Sequence, residues 1–286
     1  MSSLALPEIQ QPRTGMLHRA GGWVAKRALR IIALTYLAVL VVFPVVWIFH
    51  EAFASGVQAV WDAATAPDAL HALYLTFLIA LVAVIVNTVF GVVTALTIVR
   101  HPFPGVSIVN LLVDLPLGLS PVVVGLCLVL VYGDTGWFGQ WLSAHGITVI
   151  FALPGMILAT IFVTFPFVVR EVVPVVREVG TQQEEAARTL GASAWQTFWR
   201  ITLPSIRAGV IYGVVLTMAR ALGEFGAVSV VSGNIQGVTQ TLTMYVDYQY
   251  DNFNNTGAYV ASIELAVLAV ATLLLLSLIR GGKTDT

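Results

Sequence analysis

Six apolar stretches decide what this chain can fold into: residues 31–49, 70–99, 106–132, 149–173, 205–232 and 258–279. Each can cross a bilayer as a helix, which takes about 20 residues. Membrane-spanning strands would instead alternate over roughly 10 residues, and these runs are continuous. Pro116, Pro121, Pro154 and Pro166 interrupt the third and fourth, which spanning helices tolerate when neighbours satisfy the freed carbonyls. Only 10% of the 286 residues are charged, against about 25% in soluble domains, so lipid is the solvent for most of the surface. The expected fold is all-α: an integral membrane bundle of six transmembrane helices forming one domain, residues 31–286 (core about 70–280), behind an N-terminal segment, 1–30. That segment and the first stretch are basic, then apolar, and Ala52-Phe53-Ala54 resembles a signal cleavage site. The stretch nevertheless exceeds the roughly 7–15 residues of a signal core and reads as a retained span. The single cysteine, Cys127, allows no intrachain disulfide.

Orientation follows from Lys and Arg, which concentrate in cytoplasmic segments. Arg13, Arg19, Lys26, Arg27 and Arg30 precede the first stretch, and Arg100 follows the second. Arg170 to Arg207 follow the fourth, and Arg280 and Lys283 follow the sixth. The connections after the first, third and fifth contain no Lys or Arg, and their acids include Asp62, Asp68, Asp134, Asp247 and Asp251. With Arg220 set aside inside the fifth, every basic residue falls on one side, which places both termini in the cytoplasm.

The connection at about 176–204 reads as two short helices. Thr181 with Glu184 fits a capping box, and Gly191 sits where a left-handed C-cap is wanted. Ser193 can cap a second helix with Trp195, Phe198 and Trp199 on one face, and Pro204 ends it. An amphipathic helix lying on lipid headgroups is the alternative, although such a helix needs no fixed break.

Glu185-Ala186-Ala187, Gly191, Ile201 and Leu203-Pro204, with nine residues between the Gly and the Ile, resemble the EAA loop of ABC-importer permeases. The resemblance covers roughly residue 70 to the end, with the first span as an extra N-terminal helix. It implies a type I importer permease whose loop docks on an ATPase subunit through Glu185, Ala186, Ala187, Gly191, Leu203 and Pro204. A further run, Ala219-Arg220-Ala221-Leu222-Gly223-Glu224-Phe225-Gly226-Ala227-Val228, resembles the oxyanion branch of sulfate, thiosulfate and molybdate permeases. Leu115-Pro116-Leu117-Gly118-Leu119-Ser120-Pro121-Val122, the run 196–204 and Val230-Val231-Ser232-Gly233-Asn234 point to its sulfate members. The implied partners are two ATPase subunits, a second related permease in a heterodimer, an extracytoplasmic sulfate-binding protein and membrane lipid. ATP and Mg2+ belong to the ATPase, this chain binds no cofactor or metal, and no nucleic acid is expected.

A charge inside a span costs at least ~2.5–3.5 kcal/mol at mid-depth. Arg220 and Glu224 are four residues apart, hence on one helical face. They form either a mutual ion pair that locks the helix, or an anion-attracting arginine masked by Glu224 in one state. Ser120, Ser229, Ser232 and Asn234 offer neutral donors of the kind that hold sulfate, although serine in a span often bonds only a backbone carbonyl. Asp114 and Glu264 read as structural. Gly282-Lys283-Thr284 imitates the end of a phosphate loop, but Ser277 replaces its first Gly and a span precedes it. The chain is therefore a transport subunit rather than an enzyme. Moving a dianion inward against ~100 mV requires about 4.6 kcal/mol, which a docked ATPase would supply. The competing readings are a thiosulfate, molybdate or tungstate permease, an ion-gradient-driven secondary transporter, and a membrane anchor or assembly factor.

Overall fold

The computed structural model describes residues 17–101 and 103–281. Most of the basic N-terminal segment and Gly282-Lys283-Thr284 lie outside the described residues. The chain forms two compact units that meet in sequence at His50 and Glu51. In the first, α1 (Leu17–Leu37) runs through a wide π-type turn (Ala38–Val42) into α2 (Phe43–Ala54). From Arg27 to Ala54 this is one apolar span of 28 residues. Apolar side chains such as Ile31, Leu34, Val41 and Val46 are exposed around it, as a helix bathed in hydrocarbon requires.

The second unit begins with α3 (Val57–Ala64) and α4 (Pro67–Arg100). Pro67 opens α4 where its missing N–H is harmless, and Asp68 and Arg100 sit at the ends that suit their charges. Next come α5 (Val106–Gly118), α6 (Pro121–Tyr132), α7 (Gly139–Ala144), α8 (Leu153–Val179), α9 (Gln182–Thr189) and α10 (Ala194–Thr197). A second wide turn (Phe198–Thr202) leads into α11 (Leu203–Leu222), followed by α12 (Gly226–Ser232), α13 (Leu242–Asp251) and α14 (Asn255–Gly281). Among the described residues, five helices are long and apolar enough to cross a bilayer, and six if α5 and α6 count as one span.

Two expected spans are broken. The third bends by 113° between α5 and α6, because Leu119 and Ser120 are both extended and the residue before a proline avoids helical geometry. The fifth stops at Leu222, and α12 is a separate helix beyond Gly223–Phe225. Apolarity alone carries no sign of direction, so it ran through both breaks.

The core is the triad α4, α8 and α11. Val168 of α8 is fully buried between Gly91 of α4 and Gly213 of α11. A Cβ on Gly91 would lie 2.8 Å from Val168 Cβ, and one on Gly213 would lie 2.8 Å from Val168 Cα. Only glycine permits that approach, and such small-residue contacts drive helix packing where lipid removes the hydrophobic force. One turn along, Asn87 donates to Thr164 Oγ1 at 2.8 Å and to Ile161 O at 3.2 Å. The half-helix α12 is set against α6 and α8, burying Val124, Met156, Ala159, Val228 and Val231 together. The periphery remains apolar at Phe90, Leu111, Leu126 and Val267.

Candidate functional site

The connection from α8 to α11 is a shaped knob. Gly191 has φ +86 and no atom near a prospective Cβ. Its N–H donates to Arg188 O at 3.0 Å, and the Ala192 N–H donates to Ala187 O at 3.0 Å, closing α9 as a left-handed cap does. Ser193 caps α10 as expected, and does so in a capping box: its Oγ accepts the Gln196 N–H, and Gln196 Oε1 accepts the Ser193 N–H. Trp195, Phe198 and Trp199 form a cluster in which Trp199 stands edge-on to the other two rings, with Trp195 and Trp199 centroids 5.4 Å apart. Leu190, Trp195 and Trp199 are exposed apolar surface. Glu185, Ala186 and Gly191 are exposed as well, whereas Ala187 is buried.

Two local expectations fail here. Thr181 makes no capping bond through its side chain. Glu184 turns inward instead, where its Oε1 accepts from Arg100 Nη2 at 3.0 Å and from Thr202 Oγ1 at 2.9 Å. A charge-assisted bond away from water outweighs capping an N–H that solvent can reach. Pro204 does not end a helix either, since Ala194 to Leu222 is continuous. The preceding turn is widened so that the Leu203 N–H reaches Phe198 O, five residues back. The bond that Pro204 cannot donate falls where the ladder is already disrupted. Leu203 is half-buried and Pro204 exposed at this junction. A cavity of about 360 Å³ opens between the knob and the end of α4, lined by Leu96, Arg100, Glu184, Glu185, Arg188 and Phe198 among others.

The other candidate residues gather at the two span breaks. Gly226, at the start of α12, lies against Pro121 and Val122 at the start of α6. Ser120 is exposed at that point, and its side chain does not cap α6. Arg220 and Glu224 form the ion pair, Nη1 to Oε2 at 2.6 Å, with Arg220 a third exposed and Glu224 almost wholly buried. Glu224 Oε1 also accepts the Ala227 N–H at 2.9 Å, so one carboxylate neutralises an arginine and caps a half-helix. Ser229 donates to Gly226 O. Ser232 and Asn234 lie apart from this group, at the far end of α12. Buried Ser232 accepts the Asn234 N–H, and Asn234, with φ +51, accepts from Gln240 through Oδ1.

Sequence reasoning missed Arg100, Glu184 and Thr202 as a group. Arg100 and Glu184 are separated by 84 positions, so no local pattern links them. It also missed that Asp114 of α5 is clasped by Arg170 of α8 through both carboxylate oxygens.

Apolar spans, two of them broken beside an ion pair whose carboxylate is buried, together with a capped knob on the connection between α8 and α11, define a membrane permease. The chain belongs to the binding-protein-dependent transport system inner membrane components, whose profile matches residues 87–281. It is 51% identical over 250 residues to the sulfate transport system permease protein CysW of Synechocystis sp. (strain ATCC 27184 / PCC 6803 / Kazusa), covering 87% of this chain and 91% of that one. It is 34% identical over 263 residues to CysT of the same strain, covering 90% and 92%. Among solved structures it resembles a bacterial alginate ABC transporter in complex with alginate pentasaccharide-bound periplasmic protein. The TM-score is 0.78, with 95% of this chain and 99% of that chain covered. At 18% identity that likeness concerns the fold.

Proposed function

We propose that this chain is a permease subunit of an ATP-driven importer that carries sulfate into the cell. The observation that carries this reading is the half-identity to a sulfate permease along nearly the whole of both chains. Both termini lie in the cytoplasm, following the one-sided placement of Lys and Arg. The knob is then cytoplasmic and is the docking point for ATPase subunits, which hold ATP and Mg2+. Glu185, Gly191, Leu203 and Pro204 form that contact, with Ala186 and Ala187 leaving room for close approach. A second permease of the CysT kind completes a heterodimer, and an extracytoplasmic binding protein delivers the anion.

The anion passes the two span breaks. Ser120 and the first N–H groups of α6 supply neutral donors, and a helix N-terminus favours negative charge. Arg220 adds positive potential, which Glu224 holds in check so that the dianion is not trapped. Ser229 continues this wall, and Ser232 and Asn234 shape its outer end by holding the loop beyond α12. ATP binding shifts the balance between inward- and outward-open states through contacts that differ between them.

Uptake of labelled sulfate by cells lacking their own sulfate permease tests this. The cells express the chain with its partner subunits, and Gly191→Trp serves as the docking control. ATP-dependent uptake that resists excess molybdate and disappears with Gly191→Trp is expected. Entry of molybdate without sulfate would overturn the substrate, and uptake indifferent to Gly191→Trp would overturn the coupling role of the knob.

A further inference from the structure

One carboxylate oxygen ties three segments together. Glu184 Oε1 accepts from Arg100 Nη2 at 3.0 Å and from Thr202 Oγ1 at 2.9 Å. Glu184 lies in the first turn of α9, Arg100 is the last residue of α4, and Thr202 closes the wide turn that becomes α11. The Arg100 and Glu184 side chains are only 11% and 12% exposed, and Thr202 is buried. Arg100 Nε is buried without an acceptor, so among the described residues the carboxylate of Glu184 is the ion-pair partner of this guanidinium.

The fold makes this node a transmission point. The helix α9 packs on α10 and the wide turn, and its ion-paired link to α4 is the Arg100–Glu184 bridge. The helices α4 and α11, to which the node attaches, are the two that clamp Val168 of α8. A displacement of α9 is therefore felt at the ends of both. Stability alone does not require a buried ion pair here, because well-packed apolar replacements are often neutral or better. What the pair supplies is a short, directional tie that holds while α9 moves. The cavity beside it, lined also by His101, Glu185 and Arg188, leaves α9 free of tight packing on that side.

We infer that Glu184 is a positioning residue that passes movement of the knob into α4 and α11, acting through Arg100 and Thr202 rather than by touching the ATPase. This rests on the docking role proposed for the knob, but not on the identity of the anion.

The test uses the assembled transporter in liposomes, in a Cys127→Ser background with Ser120→Cys as reporter. The measured quantity is the rate at which a thiol reagent labels residue 120, with and without ATP. Without further change, ATP is expected to alter that rate about 5-fold or more, the low end of measured coupling between sites. Glu184→Gln is expected to remove most of this response while the ATPase still co-purifies. The exchange Glu184→Arg with Arg100→Glu is expected to restore it. An unaltered ATP response in Glu184→Gln would overturn the inference. So would an exchanged pair that assembles and hydrolyses ATP yet stays unresponsive if Glu184→Gln does not assemble. A reporter that never responds to ATP, even with Glu184 intact, would overturn the docking role and this inference together. A responding reporter, together with no sulfate uptake by the chain that keeps Ser120, would refute only the substrate and leave the inference standing.

Discussion

Replacing either glycine that faces Val168 probes the core directly, because the two clashes have different owners. A Cβ on Gly91 meets Val168 Cβ and Cγ1 at 2.8 Å, whereas a Cβ on Gly213 meets the backbone Cα of Val168 at 2.8 Å. Both are about 0.7 Å closer than carbon atoms pack at their optimum of ~3.5 Å. Overpacking of this kind typically costs about 1–3 kcal/mol, partly offset by up to ~1 kcal/mol from the better helix propensity of alanine. Gly91→Ala and Gly213→Ala should therefore each lower unfolding free energy, measured by titrating the detergent-solubilised chain with a denaturing detergent. Combination with Val168→Gly separates them. The atoms that crowd position 91 are then gone, so the double mutant should recover most of that loss, a favourable coupling of about 1–3 kcal/mol. At position 213 the offending atom is main chain and remains, so coupling should stay within ~0.5 kcal/mol. Rescue of both glycine substitutions by Val168→Gly, or a Gly213→Ala chain as stable as its parent, would refute the packing argument.

Three further outcomes follow from the knob and the ion pair. Gly191 needs φ +86 and has open space around its Cβ position, so Gly191→Asn should retain most ATP-dependent sulfate uptake. Gly191→Val should lose it, because a β-branched residue does not adopt that backbone; uptake and ATPase co-purification measured together check both. Ser193→Ala should cost about 1 kcal/mol at the α10 cap and appear as faster hydrogen exchange at the Gln196 amide. Glu224→Gln leaves Arg220 uncompensated, and breaking a buried pair costs about 3–5 kcal/mol, nearer the lower figure here because Arg220 is a third exposed. Less folded protein in the membrane is expected, with recovery when Arg220→Met is added.

The spans were legible because lipid imposes a length and an apolarity that no other environment demands at once. Their breaks were less so. Ser120-Pro121 carries a turn signal, yet Val106 to Gly118 and Pro121 to Tyr132 are both apolar, and hydropathy does not record which way a helix points. The knob offers a paired comparison. Ser193 with Gln196 and Thr181 with Glu184 share one spacing, and only the first forms a capping box. Ser193 and Gln196 are exposed and have nothing better to bond, whereas Glu184 meets Arg100 out of water. A local pattern holds until a distant charge needs the same side chain. The Arg220–Glu224 pair was readable because its partners are four positions apart in sequence, although Glu224 lies beyond the end of α11, and Arg100–Glu184 was not because its partners meet only through tertiary packing.

The wide turn from Phe198 to Thr202 has a consequence beyond accommodating Pro204. A helix advances by about 100° per residue, so one extra residue in a turn resets the phase of everything that follows. Arg220 lies downstream in the same helical run, which ends at Leu222, and the direction in which it meets Glu224 is thereby set some twenty positions earlier, beside the knob. Deleting a single residue between 198 and 202 would leave the composition of the ion pair intact and swing it by about 100°, away from the half-helix that Glu224 caps. The polar face at the break is in this sense aimed from the end of the helix where the knob begins.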